Sequence, residues 1–177
     1  PGAAEILRRL LDRADIFVQN LAPGATGRLG LGAASLREAH PRLVVCEISG
    51  YGSTGPYRDR KAYDLLVQAE AGLLSITGTP DEQVKVGISV ADIAAGMYAY
   101  SGILTALLLR HRTGTGTLVE ISMLEALSEW MGYPLYYGVY GGTPPQRSGA
   151  RHAVIAPYGP FAGGDGEVVY LGIQNER

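Results

Sequence analysis

Apolar residues recur along this chain in two rhythms, short unbroken runs and longer stripes at helical spacing. Ile6, Leu7, Leu10 and Leu11 predict a helix over 5–13. A buried strand over 15–19 follows, and Asn20-Leu21-Ala22-Pro23-Gly24 reads as its exit loop. Ser35-Leu36-Arg37-Glu38 has the Ser-x-x-Glu form of a capping box, which predicts a short helix starting there. A second apolar run predicts a strand over 43–48, with Ser49-Gly50-Tyr51-Gly52 leaving it.

Further helices are expected over 64–74 and 92–112, the second with Ile93, Met97, Tyr100, Leu104 and Leu107 in a stripe. A third strand is expected over 118–122, and a second capping box, Ser122-Met123-Leu124-Glu125, opens a helix that must stop or kink near Pro134. Strands alternating with helices predict an α/β fold on a doubly wound, mostly parallel sheet. The Gly- and Pro-rich stretch 141–149 divides this unit, residues 1–140, from a linker and the start of a smaller second domain, residues 141–177.

Composition narrows the function classes. The chain is 46% hydrophobic and 18% charged, so it can bury a core and is not a disordered segment. Its formal net charge of -2 argues against nucleic acid as a partner. Cys46 is the only cysteine, which excludes an intrachain disulfide and a cysteine-rich zinc site and makes a reducing, cytoplasmic setting the default. His40, His111 and His152 lack metal-ligand spacing, so no metal is expected.

The uncharged run 93–109 approaches the length of a membrane span. It holds Gly96, Ser101, Gly102, Thr105 and two tyrosines, so a buried core helix is the expectation and a membrane is not. The opening Pro1-Gly2-Ala3-Ala4-Glu5 has neither the basic segment nor the apolar core of a signal peptide. A start without Met and a polar end at Gln174-Asn175-Glu176-Arg177 predict a piece of a longer chain.

In open α/β sheets, ligands bind at the carboxyl ends of the strands. Those ends fall here at Asn20, at Ser49-Gly50-Tyr51-Gly52 and at Met123. Gly50-Tyr51-Gly52-Ser53-Thr54-Gly55 matches a dinucleotide fingerprint, but Pro56 and a charged stretch follow it instead of an amphipathic helix. No Gly-x-Ser-x-Gly elbow supports a serine hydrolase.

Asp92 is the most informative carboxylate, because it stands in the first turn of the long helix, where the dipole favours an ionised acid. An ionised aspartate beside a pocket can attack a thioester. The same position is also a common one for a helix cap, and pattern alone favours the cap. Arg28, Arg58, Arg60 and Lys61 supply positive charge that an anionic ligand needs, or that a solvated loop carries without function.

Taken in order, a series of segments resembles the family III CoA-transferases, the carnitine dehydratase and bile-acid-inducible protein F group. It begins with Ala14-Asp15-Ile16-Phe17-Val18-Gln19-Asn20, Pro23-Gly24 and Arg28-Leu29-Gly30-Leu31-Gly32. Ser49-Gly50-Tyr51-Gly52-Ser53-Thr54-Gly55-Pro56, Tyr63-Asp64 and Gly72-Leu73-Leu74-Ser75-Ile76-Thr77-Gly78 continue it. Val86-Gly87 with Asp92, and Arg112-Thr113-Gly114-Thr115-Gly116, complete it.

The resemblance implies that Asp92 is a catalytic nucleophile, that Asn20, Leu21, Ala25 and Arg28 contact coenzyme A, and that Lys61, Tyr63 and Met123 line the pocket near CoA or the acyl group. It implies acyl-CoA and carboxylic acid substrates, an aspartyl-CoA thioester intermediate, and an interlocked homodimer of longer chains. The wording around Trp130-Met131-Gly132-Tyr133-Pro134 and Pro157-Tyr158-Gly159-Pro160 points toward short dicarboxylates with succinyl-CoA.

The related α-methylacyl-CoA racemases carry a His base where this chain has Tyr63, and a phenol, with an ordinary pKa of about 10, is a poor general base at neutral pH. Racemase is therefore the second enzyme reading. A non-catalytic CoA-binding or interaction domain, with Asp92 only a cap, is the alternative of another class.

Overall fold

In a computed structural model, which describes residues 2–175, the chain builds a three-stranded parallel sheet with helices on both faces. The order is α1 (Gly2–Leu11), β1 (Ile16–Gln19), α2 (Ala25–Arg28), α3 (Ala33–Ala39) and β2 (Val44–Ser49). Then come α4 (Asp64–Glu70), a 3-10 turn (Leu73–Ser75), α5 (Val90–Thr113), β3 (Leu118–Ser122), α6 (Met123–Trp130) and α7 (Gly132–Tyr140). A separate antiparallel hairpin, β4 (Tyr158–Ala162) and β5 (Val168–Gly172), follows. The expected α/β fold is present.

The sheet runs β1-β2-β3, with Phe17 beside Val45 and Val45 beside Leu118. Side chains alternate across it, so Phe17, Val45 and Leu118 share one face, where they pack with Leu11, Leu36 and Leu43. Ile48 and Ile121 point to the other face and meet α4, α5 and α6 through Val67, Ala91, Ala94, Ala95, Met123 and Leu127. Central β2 is covered on both sides, which explains its unbroken apolar run: Val44, Val45 and Cys46 are all fully buried.

The long helix is not buried on its stripe of large apolar residues. Its buried face is the small one, Val90, Ala91, Ala94, Ala95, Ala99 and Ala106, while Ile93, Met97, Tyr100 and Leu104 are exposed. The reason is close approach. A Cβ on Gly102 would lie 2.9 Å from Val119 Cγ1, so a stripe of large side chains does not fit between helix and sheet. By length and composition α5 could cross a bilayer; 22% of its most apolar window is buried, and its alanine face packs into the core.

Three boundaries also shift. The capping box at Ser35 is unused, because α3 already starts at Ala33 behind an extended Gly32. The helix expected over 64–74 ends at Glu70, and Gly72, with φ of 80°, turns the chain into the 3-10 segment. At Ser122 the capping half of the box is present: extended at the end of β3, Ser122 accepts a hydrogen bond on Oγ from the Glu125 amide at 3.2 Å. The chain breaks at Met131, and Pro134 lies inside the first turn of α7, where proline is tolerated.

Residues 141–149 contain no regular element. Arg147 donates to the Thr79 and Pro80 carbonyls at 2.8 Å each, and the Gly149 amide donates to the Gly78 carbonyl at 2.7 Å, which ties this stretch to the turn after the 3-10 segment.

Candidate active site

All three parallel strands end at the same edge of the sheet, and a cavity of about 630 Å³ opens there. The three strand exits reach it as Asn20 and Leu21, Ser49 and Gly50, and Met123. The segment 60–64 forms another wall, and the first turns of α5 close it with Asp92, Ala95 and Gly96. Six residues singled out from the sequence thus meet around one space: Asn20, Leu21, Lys61, Tyr63, Asp92 and Met123. Ala25 and Arg28 lie on α2 behind the first exit loop and do not line it; the Arg28 guanidinium folds back toward Gly24.

Local bonding explains how the walls stay together. The Leu124 amide donates to the Gly50 carbonyl at 3.0 Å, pinning the exit of β2 to the start of α6. Ser49 Oγ accepts from the Gly52 amide at 3.0 Å, and Gly52 and Gly55 hold φ of 86° and 83°. No helix follows until Asp64, so the dinucleotide fingerprint lacks its helix. Gly50 is a contact requirement as well, because a Cβ there would collide with the Ala62 side chain between Lys61 and Tyr63.

Asp92 is not the cap of α5. It is the third residue of the helix, and Ser89 precedes the first. The capping group comes from elsewhere: Asp64 Oδ1 accepts the Ala91 amide at 2.8 Å, and Asp64 Oδ2 accepts from Gln68 Nε2 at 2.7 Å. Asp92 itself is exposed to the cavity. Partial desolvation, and then the like charge of Asp64, push its carboxyl above the usual aspartate value. The helix dipole at the start of α5 acts in the opposite direction. The result is a carboxylate of enhanced basicity facing open space.

The positive groups divide. Arg60 lies 3.6 Å from the centre of the Tyr57 ring and 3.7 Å from Glu70, and Arg58 pairs with neighbouring Asp59. No ion pair among the described residues engages Lys61, which lines the cavity. Among the described residues no group of three or more His, Cys, Asp or Glu could hold a metal. His152 organises its own loop, accepting on Nδ1 from the Val154 and Ile155 amides.

Sequence reasoning assigned no role to Asp64 and overlooked Gln68 and Gly96. Asp64 and Gln68 carry a legible sign, an acid and an amide four apart at a helix start. Their tertiary partners, 18 and 27 residues away, are not legible.

The family model for CoA-transferase family III matches residues 1–177. The chain belongs to this family. It is 37% identical to the succinate–glutarate CoA-transferase of Agrobacterium fabrum over 177 residues, covering 99% of this chain and 44% of that protein. The human succinyl-CoA:glutarate CoA-transferase is 33% identical over 178 residues, covering 100% and 41%. The crystal structure of a CAIB/BAIF family protein from Brucella suis superposes with a TM-score of 0.85 at 35% identity, over 92% of this chain and 43% of that one. The chain therefore spans less than half the length of these relatives.

Proposed function

We propose that the protein transfers coenzyme A from an acyl-CoA donor to a carboxylic acid, with Asp92 as the covalent nucleophile. The observation that carries this reading is the placement of Asp92, whose carboxylate lines the cavity at the strand ends and has no side-chain hydrogen bond or ion pair among the described residues. The human relative's name, succinyl-CoA:glutarate CoA-transferase, and the Agrobacterium relative's, succinate–glutarate CoA-transferase, support succinyl-CoA as donor and a short dicarboxylate as acceptor.

The steps balance without any other reagent. The Asp92 carboxylate attacks the thioester carbonyl, the C–S bond breaks, and CoA leaves as thiolate from a mixed anhydride. The thiolate then attacks the aspartyl carbon, releasing the donor acid and leaving an aspartyl-CoA thioester. The acceptor carboxylate attacks that thioester to form a second anhydride, again freeing thiolate. Attack of the thiolate on the acceptor's carbonyl yields the new acyl-CoA and restores the Asp92 carboxylate.

Higher basicity makes Asp92 a stronger nucleophile once ionised. Lys61, on the same wall and without an ion-pair partner among the described residues, offers a counter-charge for an anionic substrate. In this reading the full-length enzyme is a homodimer, and the uncovered apolar stripe of α5 supports its burial against protein.

The test is to incubate the full-length protein with succinyl-CoA and glutarate and to separate the CoA esters by chromatography. Formation of glutaryl-CoA by the wild type and its loss in Asp92→Asn is the expected outcome. Undiminished transfer by Asp92→Asn contradicts the assignment. Exchange of the α-proton of a 2-methylacyl-CoA without transfer establishes a racemase instead. Tight CoA binding with neither reaction leaves a binding module.

A further inference from the structure

Gln68 is a fully buried polar side chain in the wall of α4, and its amide is oriented by its partners. The Val86 amide can only donate, so the atom facing it at 2.9 Å is Oε1. Nε2 is then left to donate to Asp64 Oδ2 at 2.7 Å. The other oxygen, Asp64 Oδ1, accepts from the Ala91 amide at 2.8 Å. A single chain of hydrogen bonds thus runs from the segment entering α5, through Gln68 and Asp64, back to the residue immediately before Asp92.

We propose that Gln68 and Asp64 are positioning residues for Asp92: Gln68 fixes the Asp64 carboxylate, and Asp64 clamps the turn of α5 from which the Asp92 side chain enters the cavity. The proposal rests on the reading of Asp92 as nucleophile. Three observations carry it beyond ordinary packing. Asp64 accepts one bond on each oxygen, from Ala91 beside Asp92 and from Gln68, so its carboxylate is held in place between α4 and α5. Gln68 spans two segments that the sheet does not tie together, α4 and the irregular stretch before α5. Asp64 also lines the cavity beside Asp92, so its charge bears on the nucleophile as well as on the helix. The charged and titratable groups on this cavity besides Asp92 all come from 60–64, namely Arg60, Lys61, Tyr63 and Asp64; the strand exits contribute none.

The donor and acceptor roles can be exchanged. In the double variant Asp64→Asn/Gln68→Glu, position 64 still accepts from the Ala91 amide and now donates toward position 68. Position 68 accepts that bond and the one from the Val86 amide. Each single variant instead sets two donors or two acceptors against each other. With the full-length protein, succinyl-CoA and glutarate, each single variant is expected to lower kcat by roughly ten- to a hundredfold through misplacement of the nucleophile. The KM for succinyl-CoA should stay within about twofold, and the double variant should recover most of the lost kcat.

Asp64→Asn should also move the acid limb of the kcat profile to lower pH, because a like charge beside Asp92 has been removed. A purely structural role would not produce that shift. Wild-type kcat in either folded single variant overturns the proposal, as does a folded double variant no faster than the slower single. Should the double variant not fold, the pH profile of Asp64→Asn decides: an unmoved acid limb overturns the proposal.

Amide exchange at Val86 and Ala91 needs no substrate and separates this proposal from the functional reading. If the wild type transfers no CoA, the functional reading fails, and exchange alone decides the clamp. Faster exchange at both amides in Gln68→Glu supports it, and unchanged exchange overturns it.

Discussion

Asp64 and Asp92 face one cavity from two helices, and the Asp64 carboxylate holds the amide of the residue just before Asp92. Two acids in such proximity do not play the same part. Asp64 is committed to hydrogen bonds on both oxygens, whereas Asp92 meets open space and carries the raised pKa. The asymmetry follows from position: Asp64 starts α4 and reaches across, while Asp92 is the third residue of α5.

Replacing Asp92 by Asn separates activity from stability. The variant should lose about 10⁴-fold or more in kcat, the scale of losing a covalent nucleophile. Its thermal stability should change in the other direction. A carboxyl whose pKa is raised by folding contributes stability that is present below the unfolded value and lost as pH rises through the folded one. At neutral pH the ionised Asp92 therefore carries a small penalty that Asn removes. Because the group is exposed, the gain in Tm should be modest and should shrink in high salt. Thermal melts of both proteins at neutral and acid pH check the sign.

The pH dependence of turnover follows from the same shift. Only the ionised carboxylate attacks, so kcat should fall as pH drops through the Asp92 pKa. That limb should lie above the ordinary aspartate value of about 3.9. Stopped-time assays across the acid range, at saturating substrate, test it. A limb at or below the ordinary value contradicts the assigned causes.

Gly96 sits one turn after Asp92 on the same face of α5, and a Cβ there would meet nothing within 4 Å. Gly96→Ala should therefore stabilise the fold by up to about 1 kcal/mol, the usual helix preference for alanine. A larger side chain at this position should instead fill the cavity. Gly96→Leu is expected to raise KM for acyl-CoA while the protein stays folded, which steady-state kinetics and melts together would show.

Two glycine and cap positions test the scaffold. Gly50→Ala should displace the segment 61–63 and lower both stability and activity, since neither Ala62 nor the Gly50 backbone has a flexible end to move aside. Ser122→Ala removes one cap bond and should cost about 1 kcal/mol, measured by denaturant titration.

Much of this architecture was legible in the residues. Three apolar runs mark the strands, and the rule that ligands gather at parallel strand ends brings Asn20, Gly50 and Met123 to one place from the sequence alone. The two capping boxes show where such reading stops. Ser122 ends a strand and starts its helix, but Ser35 lies inside one that Gly32 had already begun.

The stripe of large apolar residues on α5 does not mark its buried face, because the sequence pattern carries side-chain size and not the helix–sheet separation. A helix lying this close to a sheet buries alanine, and its large residues are left outside. The Asp64 and Gln68 bonds were invisible for a different reason: they join residues brought together only by folding.

The most direct test of the central claim is to mix the full-length protein with succinyl-CoA, digest it, and weigh the peptide containing Asp92. The account predicts a CoA adduct on Asp92, or a hydroxamate at the same residue after hydroxylamine. An unmodified Asp92 peptide, recovered while glutaryl-CoA forms on addition of glutarate, would contradict it.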